Sequence, residues 1–379
     1  MRVVIVQEHL PHYRVALYEE LREILFLHNI HLDLIFNPNT ASNLLPGTIA
    51  WATPVSITKF GSLSWQPIFP LLRKSNLIIV QQEVKYVANY LLLAKRSFSP
   101  ALKLAFWGHG KNFQATYKSF FAEFLKRRLS TKCDWWFAYN DLSCKIITSL
   151  GFPSDRISTL YNSIDTVSLA HNFNQTSHTE IARVRESLEI KTENIAIYSG
   201  GLYEEKRIPF LIKSSIEVRK HLPDFVLLIC GSGREAEFVK AASRTYPFIK
   251  YLGPLGDKER LPYWKISKLL LMPGAVGLVV LDSFAFKVPM ITTAIHTHGP
   301  EIDYLRNGVN GLILDGSTSP EAYANSIVAL FQDEEARQKI AVGCAKSAPL
   351  YTTDRTAKLF AEGIRQALAA PSYEHGRIV

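Results

Sequence analysis

Short apolar runs alternating with stretches of helical periodicity recur along the whole chain, and no other feature limits the fold so tightly. The first run, residues 3–7, is followed by a turn at Leu10-Pro11-His12 and then by Val15, Leu17, Tyr18, Leu21, Ile24 and Leu25 at helical spacing. Runs at 32–36, 77–80, 102–107 and 135–139 continue the pattern, separated by enough chain for helices. After a polar stretch it restarts at 195–199, 225–230, 249–252, 268–272, 289–292 and 311–314. Apolar strands separated by helices predict parallel sheets covered on both faces, because a parallel connection must cross over the sheet and a helix is the usual crossover. Two such halves in 379 residues predict an α/β protein of two Rossmann-like parallel-sheet domains, with ligands at the C-terminal ends of the strands.

The polar residues around 171–180 make 171–190 the expected linker between a first domain over 1–170 and a second over 191–350. A hydrophobic content of 47% is ample for two cores. No run of about 18 apolar residues occurs, and residues 2–8 are too short and too soon interrupted for a signal peptide, so a cytoplasmic protein is expected. Cys133, Cys144, Cys230 and Cys344 are scattered, which suggests small core residues rather than a zinc site or a disulfide framework. The net charge of +9 is uneven: residues 1–165 hold 18 Lys+Arg against 11 Asp+Glu. That bias fits attraction to anionic lipid, nucleic acid or a phosphorylated acceptor without choosing among them.

Residues 272–291, MPGAVGLVVLDSFAFKVPMI, carry the sharpest chemical signal. A proline and glycine turn leads into Gly277 and Leu278 and then a helix-like segment containing Asp282. The bare amides of a helix start favour an anion such as a diphosphate, and an Asp one turn further in can accept hydrogen bonds from ribose hydroxyls. Those are the two ends of a sugar nucleotide. Other turns with the same flavour are Tyr198-Ser199-Gly200-Gly201 running on to Lys206, Cys230-Gly231-Ser232-Gly233, Pro300-Glu301-Ile302, and Asn307-Gly308-Val309-Asn310-Gly311-Leu312. Gly231 also lies in a segment readable as a dinucleotide fingerprint, but no acidic residue ends the following strand.

These motifs, in this order, resemble the retaining GT-B glycosyltransferases of the family 4 type. The resemblance implies two Rossmann-like domains facing a central cleft, and a last segment, 351–379, whose helix packs back on the first domain. It implies that Gly200, Gly201, Lys206, Gly231, Gly277, Leu278 and Asp282 bind a nucleotide-diphosphate sugar, with Lys206 beside the leaving diphosphate. Two departures stand out: Gly201 replaces an arginine, and Gly274 stands where a first glutamate is expected. Either the donor is a deoxysugar without that polar demand, or another carboxylate such as Glu301, at an expected helix start, takes the place of that glutamate. No Asp-x-Asp occurs, so neither a metal nor a cofactor is expected, with helix amides and lysine neutralising the diphosphate.

In the first half, Gly108-His109-Gly110 closes an apolar run where the family has a histidine that contacts the transferred sugar. Arg14, in the loop after the first strand with Glu8, His12 and Tyr13, is a candidate for an anionic acceptor or phosphate. From Lys111 to Trp136 aromatic and basic residues interleave, which reads either as a helix packing its aromatic face on the sheet or as one lying peripherally on an anionic membrane. No nucleic-acid module is recognisable. The expected activity is transfer of a hexosyl or deoxyhexosyl group to a saccharide or lipid-linked acceptor in cell-surface polysaccharide synthesis. A binding-only relative and a sugar-nucleotide epimerase are the alternatives.

Overall fold

The computed structural model describes residues 1–38, 49–99, 101–110, 129–374 and 377–378. The basic stretch 111–128, with most of the membrane-surface candidate, lies outside them. The chain divides into two compact units, Met1–Ile164 with Thr353–Val379, and Asp165–Thr352.

The first unit is a seven-stranded parallel sheet. Its strands are β1 (Arg2–Gln7), β2 (His31–Phe36), β3 (Thr53–Pro54), β6 (Leu77–Gln81), β7 (Lys103–Gly108), β8 (Trp135–Ala138) and β9 (Ile157–Thr159), in the order β3-β2-β1-β6-β7-β8-β9. A separate antiparallel hairpin is formed by β4 (Thr58–Phe60) and β5 (Leu63–Trp65). Alternate residues of each strand feed opposite cores, as the period of two requires. Val3 and Ile5 join Tyr18 and Leu21 of the helix Val15–Leu27 and Phe360 and Ile364 of the helix Thr353–Ala369. Val4 and Val6 join Leu92, Phe106 and Trp136 on the other face. At the lower edge Arg96 grips Asp134 through two bonds of 2.7 Å, and Asp134 also accepts the Leu104 amide at 2.9 Å.

In the second unit the strands are β10 (Ile195–Ser199), β11 (Val226–Cys230), β12 (Ile249–Gly253), β13 (Leu269–Met272), β14 (Met290–Thr293) and β15 (Gly311–Leu314). Their order, β12-β11-β10-β13-β14-β15, is that of a doubly wound Rossmann sheet. The chain reverses direction across the sheet between β10 and β13. The loops leaving those two strands, 200–206 and 273–278, are therefore the ones at the switch point, where open α/β sheets receive their ligands. The fold class expected from the apolar periodicity is the one observed: an α/β protein of two Rossmann-like parallel-sheet units.

The polar stretch expected as a linker is helical instead. Thr166–Gln175 and His178–Ser187 are helices of the second unit. Asp165 caps the first through the Ser168 amide at 3.0 Å, and Ser177 with Glu180 forms a reciprocal capping box on the second. Phe173 anchors the pair by stacking on Phe286 with ring centroids 4.7 Å apart. Polar composition signalled a loop, but local caps and one aromatic anchor prevailed.

The helix Thr353–Ala369 holds its place through Phe360, which is fully buried with its ring 5.0 Å from that of Trp107 and 4.7 Å from that of Phe137. Phe360→Ala should destabilise the first unit by about 3–5 kcal/mol, the usual cost of truncating a buried aromatic. Denaturant unfolding followed by tryptophan fluorescence would measure it. A midpoint unchanged from wild type would show that this helix adds nothing to the core.

Candidate functional site

The strand ends of the second unit approach one another so closely that glycines are required. A Cβ on Gly231 would overlap the Gly200 carbonyl oxygen. The Gly200 amide donates to Cys230 O at 3.0 Å, and the Gly231 amide donates to Gly253 O at 2.8 Å. Both glycines were expected at the donor site; their amides are taken up in joining the strand ends. Gly201 follows at the turn, its carbonyl accepting the Tyr198 hydroxyl at 2.5 Å.

Lys206 ends the short 3-10 turn Glu204–Lys206 and is buried. Its ammonium donates to the Ala275 carbonyl and lies 5.4 Å from the Tyr203 ring centroid. Burial pushes this group down to about 8, opposed by the negative charges of Glu301 and Glu205. Lys206 is therefore a cation that is only partly solvated and sits near the point of losing its proton at neutral pH.

The 273–278 loop lies directly on this turn. A Cβ on Gly274 would overlap the Lys206 carbonyl carbon and the Glu205 carbonyl oxygen, and the Ala275 amide donates to Glu205 O at 2.7 Å. Position 274 is thus not a carboxylate site that has lost its carboxylate, because no side chain fits there. Further along, the Val276 amide donates to His298 Nδ1 at 3.0 Å, and the Gly299 amide donates to Val276 O at 2.9 Å. The Gly277 and Leu278 amides have no partner among the described residues, and the helix Val279–Phe286 begins immediately after them. This places open amides beside Lys206, an arrangement suited to an anion.

Glu301 joins the same cluster. It is buried in the 3-10 turn Pro300–Tyr304, and a Cβ on Gly299 would stand 2.7 Å from its Oε2 and 2.9 Å from Val276 O. Its charge acts on Lys206. Asp282, by contrast, is occupied. Arg260 donates to it through Nη1 at 2.6 Å and Nη2 at 2.9 Å, and burial pushes the carboxyl up against the opposing effect of that guanidinium. Any ribose hydroxyl would have to share an oxygen that Arg260 already holds. Arg260 was missed in the sequence because no motif marks it. His298 likewise lies in none of the motifs named above.

In the first unit the two candidates come together through a third residue. His109 stacks on Tyr139 with centroids 4.0 Å apart, and Arg14 Nη2 donates to the Tyr139 hydroxyl at 2.8 Å. Tyr139 stacks in turn on Trp107 at 5.8 Å, over whose ring the Arg14 guanidinium sits at 4.9 Å. Asn162 Oδ1 accepts from the same Nη2 at 3.4 Å. In the loop after β1, Glu8 accepts from Lys85 at 2.6 Å and from the Tyr86 hydroxyl. Tyr139 carried no sequence signal beyond ending the apolar run 135–139.

Two neighbouring glycines separate close packing from ligand binding. Gly274→Ala should cost about 1–3 kcal/mol or more through overlap with immovable backbone, whereas Gly277→Ala, whose Cβ would meet nothing within 4 Å, should leave the melting temperature near wild type. Differential scanning calorimetry compares the two, and a Gly274→Ala protein as stable as wild type would contradict the packing argument.

Residues 180–343 match the family model described as Glycosyl transferases group 1. D-inositol 3-phosphate glycosyltransferase of Corynebacterium urealyticum is 26% identical over 206 residues, covering 51% of this chain and 47% of that protein. The GtfA subunit of the UDP-N-acetylglucosamine–peptide N-acetylglucosaminyltransferase of Streptococcus pneumoniae is 25% identical over 146 residues, covering 36% of this chain and 29% of that protein. The chain thus spans about half or less of the length of these curated relatives. Among solved structures, Anabaena HepE in complex with UDP-glucose superposes with a TM-score of 0.71 at 15% identity, over 97% of this chain and 100% of that one. A glycosyltransferase from Rickettsia africae gives 0.75 at 13% identity, over 97% and 98%. The match to the glycosyl transferases group 1 model thus lies within the second unit, and the chain as a whole shares the fold of these solved glycosyltransferases.

Proposed function

We propose that this chain is a glycosyltransferase that moves a sugar from a nucleotide-diphosphate sugar to a saccharide or lipid-linked acceptor, with retention of anomeric configuration. The observation that carries the reading is the set of open Gly277 and Leu278 amides beside a buried Lys206, with Glu301 against the same loop. The bond from the anomeric carbon to the diphosphate oxygen breaks, and the nucleoside diphosphate leaves with the electron pair. The acceptor hydroxyl oxygen forms the new bond to the anomeric carbon from the face the diphosphate leaves, and its proton passes to the departing diphosphate oxygen. Negative charge grows on the leaving diphosphate, where the amides and the Lys206 ammonium lower its energy without reorganising. Asp282, held by Arg260, contributes remaining acceptor capacity to a ribose hydroxyl. Glu301 accepts from a hydroxyl of the sugar, His109 contacts that sugar, and Arg14 meets an anionic group of the acceptor. No metal or cofactor takes part in this scheme.

The bound UDP-glucose of HepE and the name of the Streptococcus pneumoniae relative favour a UDP-sugar as the first donor to try. A role in cell-surface polysaccharide synthesis at the membrane's inner face is part of the proposal. No helix among the described residues is long and apolar enough to cross a membrane. A thermal-shift screen against nucleotide sugars, followed by product analysis, tests the reading. Binding without transfer or hydrolysis would leave a binding-only protein, and an epimerised nucleotide would identify an epimerase.

Lys206→Ala should lower kcat/KM on the order of 10²-fold, the usual loss for one preorganised group, while the protein stays folded. In the wild type kcat/KM should fall as pH rises through about 8, because the free enzyme loses the Lys206 proton there. That alkaline limb should be missing in Lys206→Met, and its persistence would assign it to another group.

Glu301→Gln should abolish most turnover while nucleoside diphosphate affinity, measured by calorimetry, stays near wild type. The amide keeps one neutral acceptor oxygen but loses the charge, and a site built to hydrogen-bond a sugar hydroxyl loses much when its charged acceptor is weakened. Unchanged turnover would instead favour a deoxysugar donor lacking that hydroxyl.

A further inference from the structure

The 273–278 loop is braced by a side chain that the proposed mechanism does not use. His298 is buried and engages both ring nitrogens: Nδ1 faces the Val276 amide at 3.0 Å and Nε2 faces the Thr293 carbonyl at 2.7 Å. An amide N–H can only donate, so Nδ1 must keep its lone pair. A carbonyl can only accept, so Nε2 must carry the proton. The two partners fix one tautomer of a neutral ring. Thr293 extends the brace, since its hydroxyl donates to Pro273 O at 2.6 Å and accepts from Arg207 Nη1 at 3.0 Å. His298 thereby ties the end of β14 to the residue immediately before the open Gly277 and Leu278 amides.

We propose that His298 is a positioning residue of the donor site: a neutral, Nε2-protonated imidazole that holds the Val276 amide and so aims the Gly277 and Leu278 amides at the donor diphosphate. This rests on the donor-site reading above. The ring touches no reacting atom and acts only through Val276. A second proton on it would set N–H against N–H and place a cation near the Lys206 ammonium. Burial and that ammonium both hold the ring below the ordinary histidine range, against the hydrogen bond to Thr293. The other charged groups around the loop are Glu205 and Arg207 from the preceding turn and Glu301 from the following one.

The test uses the full chain and inorganic pyrophosphate, a probe independent of base and sugar. His298→Leu removes both bonds, while His298→Asn keeps an acceptor near the Nδ1 position and loses only the Thr293 contact. The Leu variant should bind pyrophosphate about ten-fold more weakly by calorimetry, the scale of one lost hydrogen bond. The Asn variant should recover most of that affinity although both lose similar thermal stability. A merely structural histidine would move affinity and stability together. Acidification should weaken binding more in the wild type than in the Asn variant, with Glu301→Gln as the background for both, and equal acid limbs would overturn the proposal even if the Leu variant failed to fold. A Leu variant binding as tightly as wild type would overturn this inference alone. No pyrophosphate binding by the wild type would overturn the donor-site reading and this inference with it.

Discussion

Main chain packed directly on main chain, where the 273–278 loop meets Glu205 and Lys206, is the constraint from which the second unit's ligand edge follows. With no Cβ at Gly274, the loop descends until the Ala275 amide reaches Glu205 O and the Ala275 carbonyl reaches the Lys206 ammonium. That depth turns the Val276 amide to His298 and leaves the next two amides without partners. It also explains where the carboxylate of this site comes from. A glutamate at 274 would have to push through the 205–206 backbone, so an acidic group can reach the loop only from another element. Glu301 does so across Gly299, which lacks the side chain that would displace it.

The ionisable groups gathered at this edge divide into two kinds. Arg260, which also donates to the exposed Asp257 at 3.1 Å, holds the buried Asp282 through two short bonds, and removing Arg260 would strand that carboxylate at a cost of about 3–5 kcal/mol. Their first task is to hold the helix Val279–Phe286 to the segment before Leu261. Lys206 is different. Its hydrogen-bond acceptor is a neutral carbonyl and its acidic neighbours act through space, so burial prevails and the ammonium is weakened. A diphosphate arriving beside it would restore the proton's hold, because an opposite charge favours the charged form. In the proposed donor site, diphosphate binding and protonation of Lys206 would therefore be coupled in the same direction.

The architecture was legible in the sequence because strands buried on both faces read as uninterrupted apolar runs, and the six strands of the second unit lie where such runs occur. Turn glycines and Lys206 were legible as motifs, since close backbone approach and a positioned cation demand particular residue types. What escaped notice depends on contacts distant in sequence. Arg260 matters because it meets Asp282, 22 residues away, and His298 because it meets Val276, again 22 residues away. Neither residue type at its own position predicts such a meeting. The helices at 166–187 escaped for a different reason: their apolar positions are few, and what ends them is capping by Asp165 and Ser177, a local signal outweighed by polar composition.

The same limit shows in the first unit, where Arg14 and His109 were singled out separately and Tyr139, which joins them, was not. The Tyr139 ring carries the His109 ring on it, and its hydroxyl takes the Arg14 hydrogen bond, so the position of each is set by a residue with no charge. Among the described residues, Arg14 is held by the faces of Trp107, Tyr139 and Tyr13, a hydroxyl and an amide oxygen, with no carboxylate pairing to it. Aromatic faces attract a guanidinium but leave its formal charge in place. A guanidinium cannot shed its proton to escape burial. The first unit therefore keeps a cation in its interior without neutralising it, the reverse of what the second unit does with Arg260 and Asp282, and the unbalanced charge stands at the sheet edge where open parallel sheets receive their ligands.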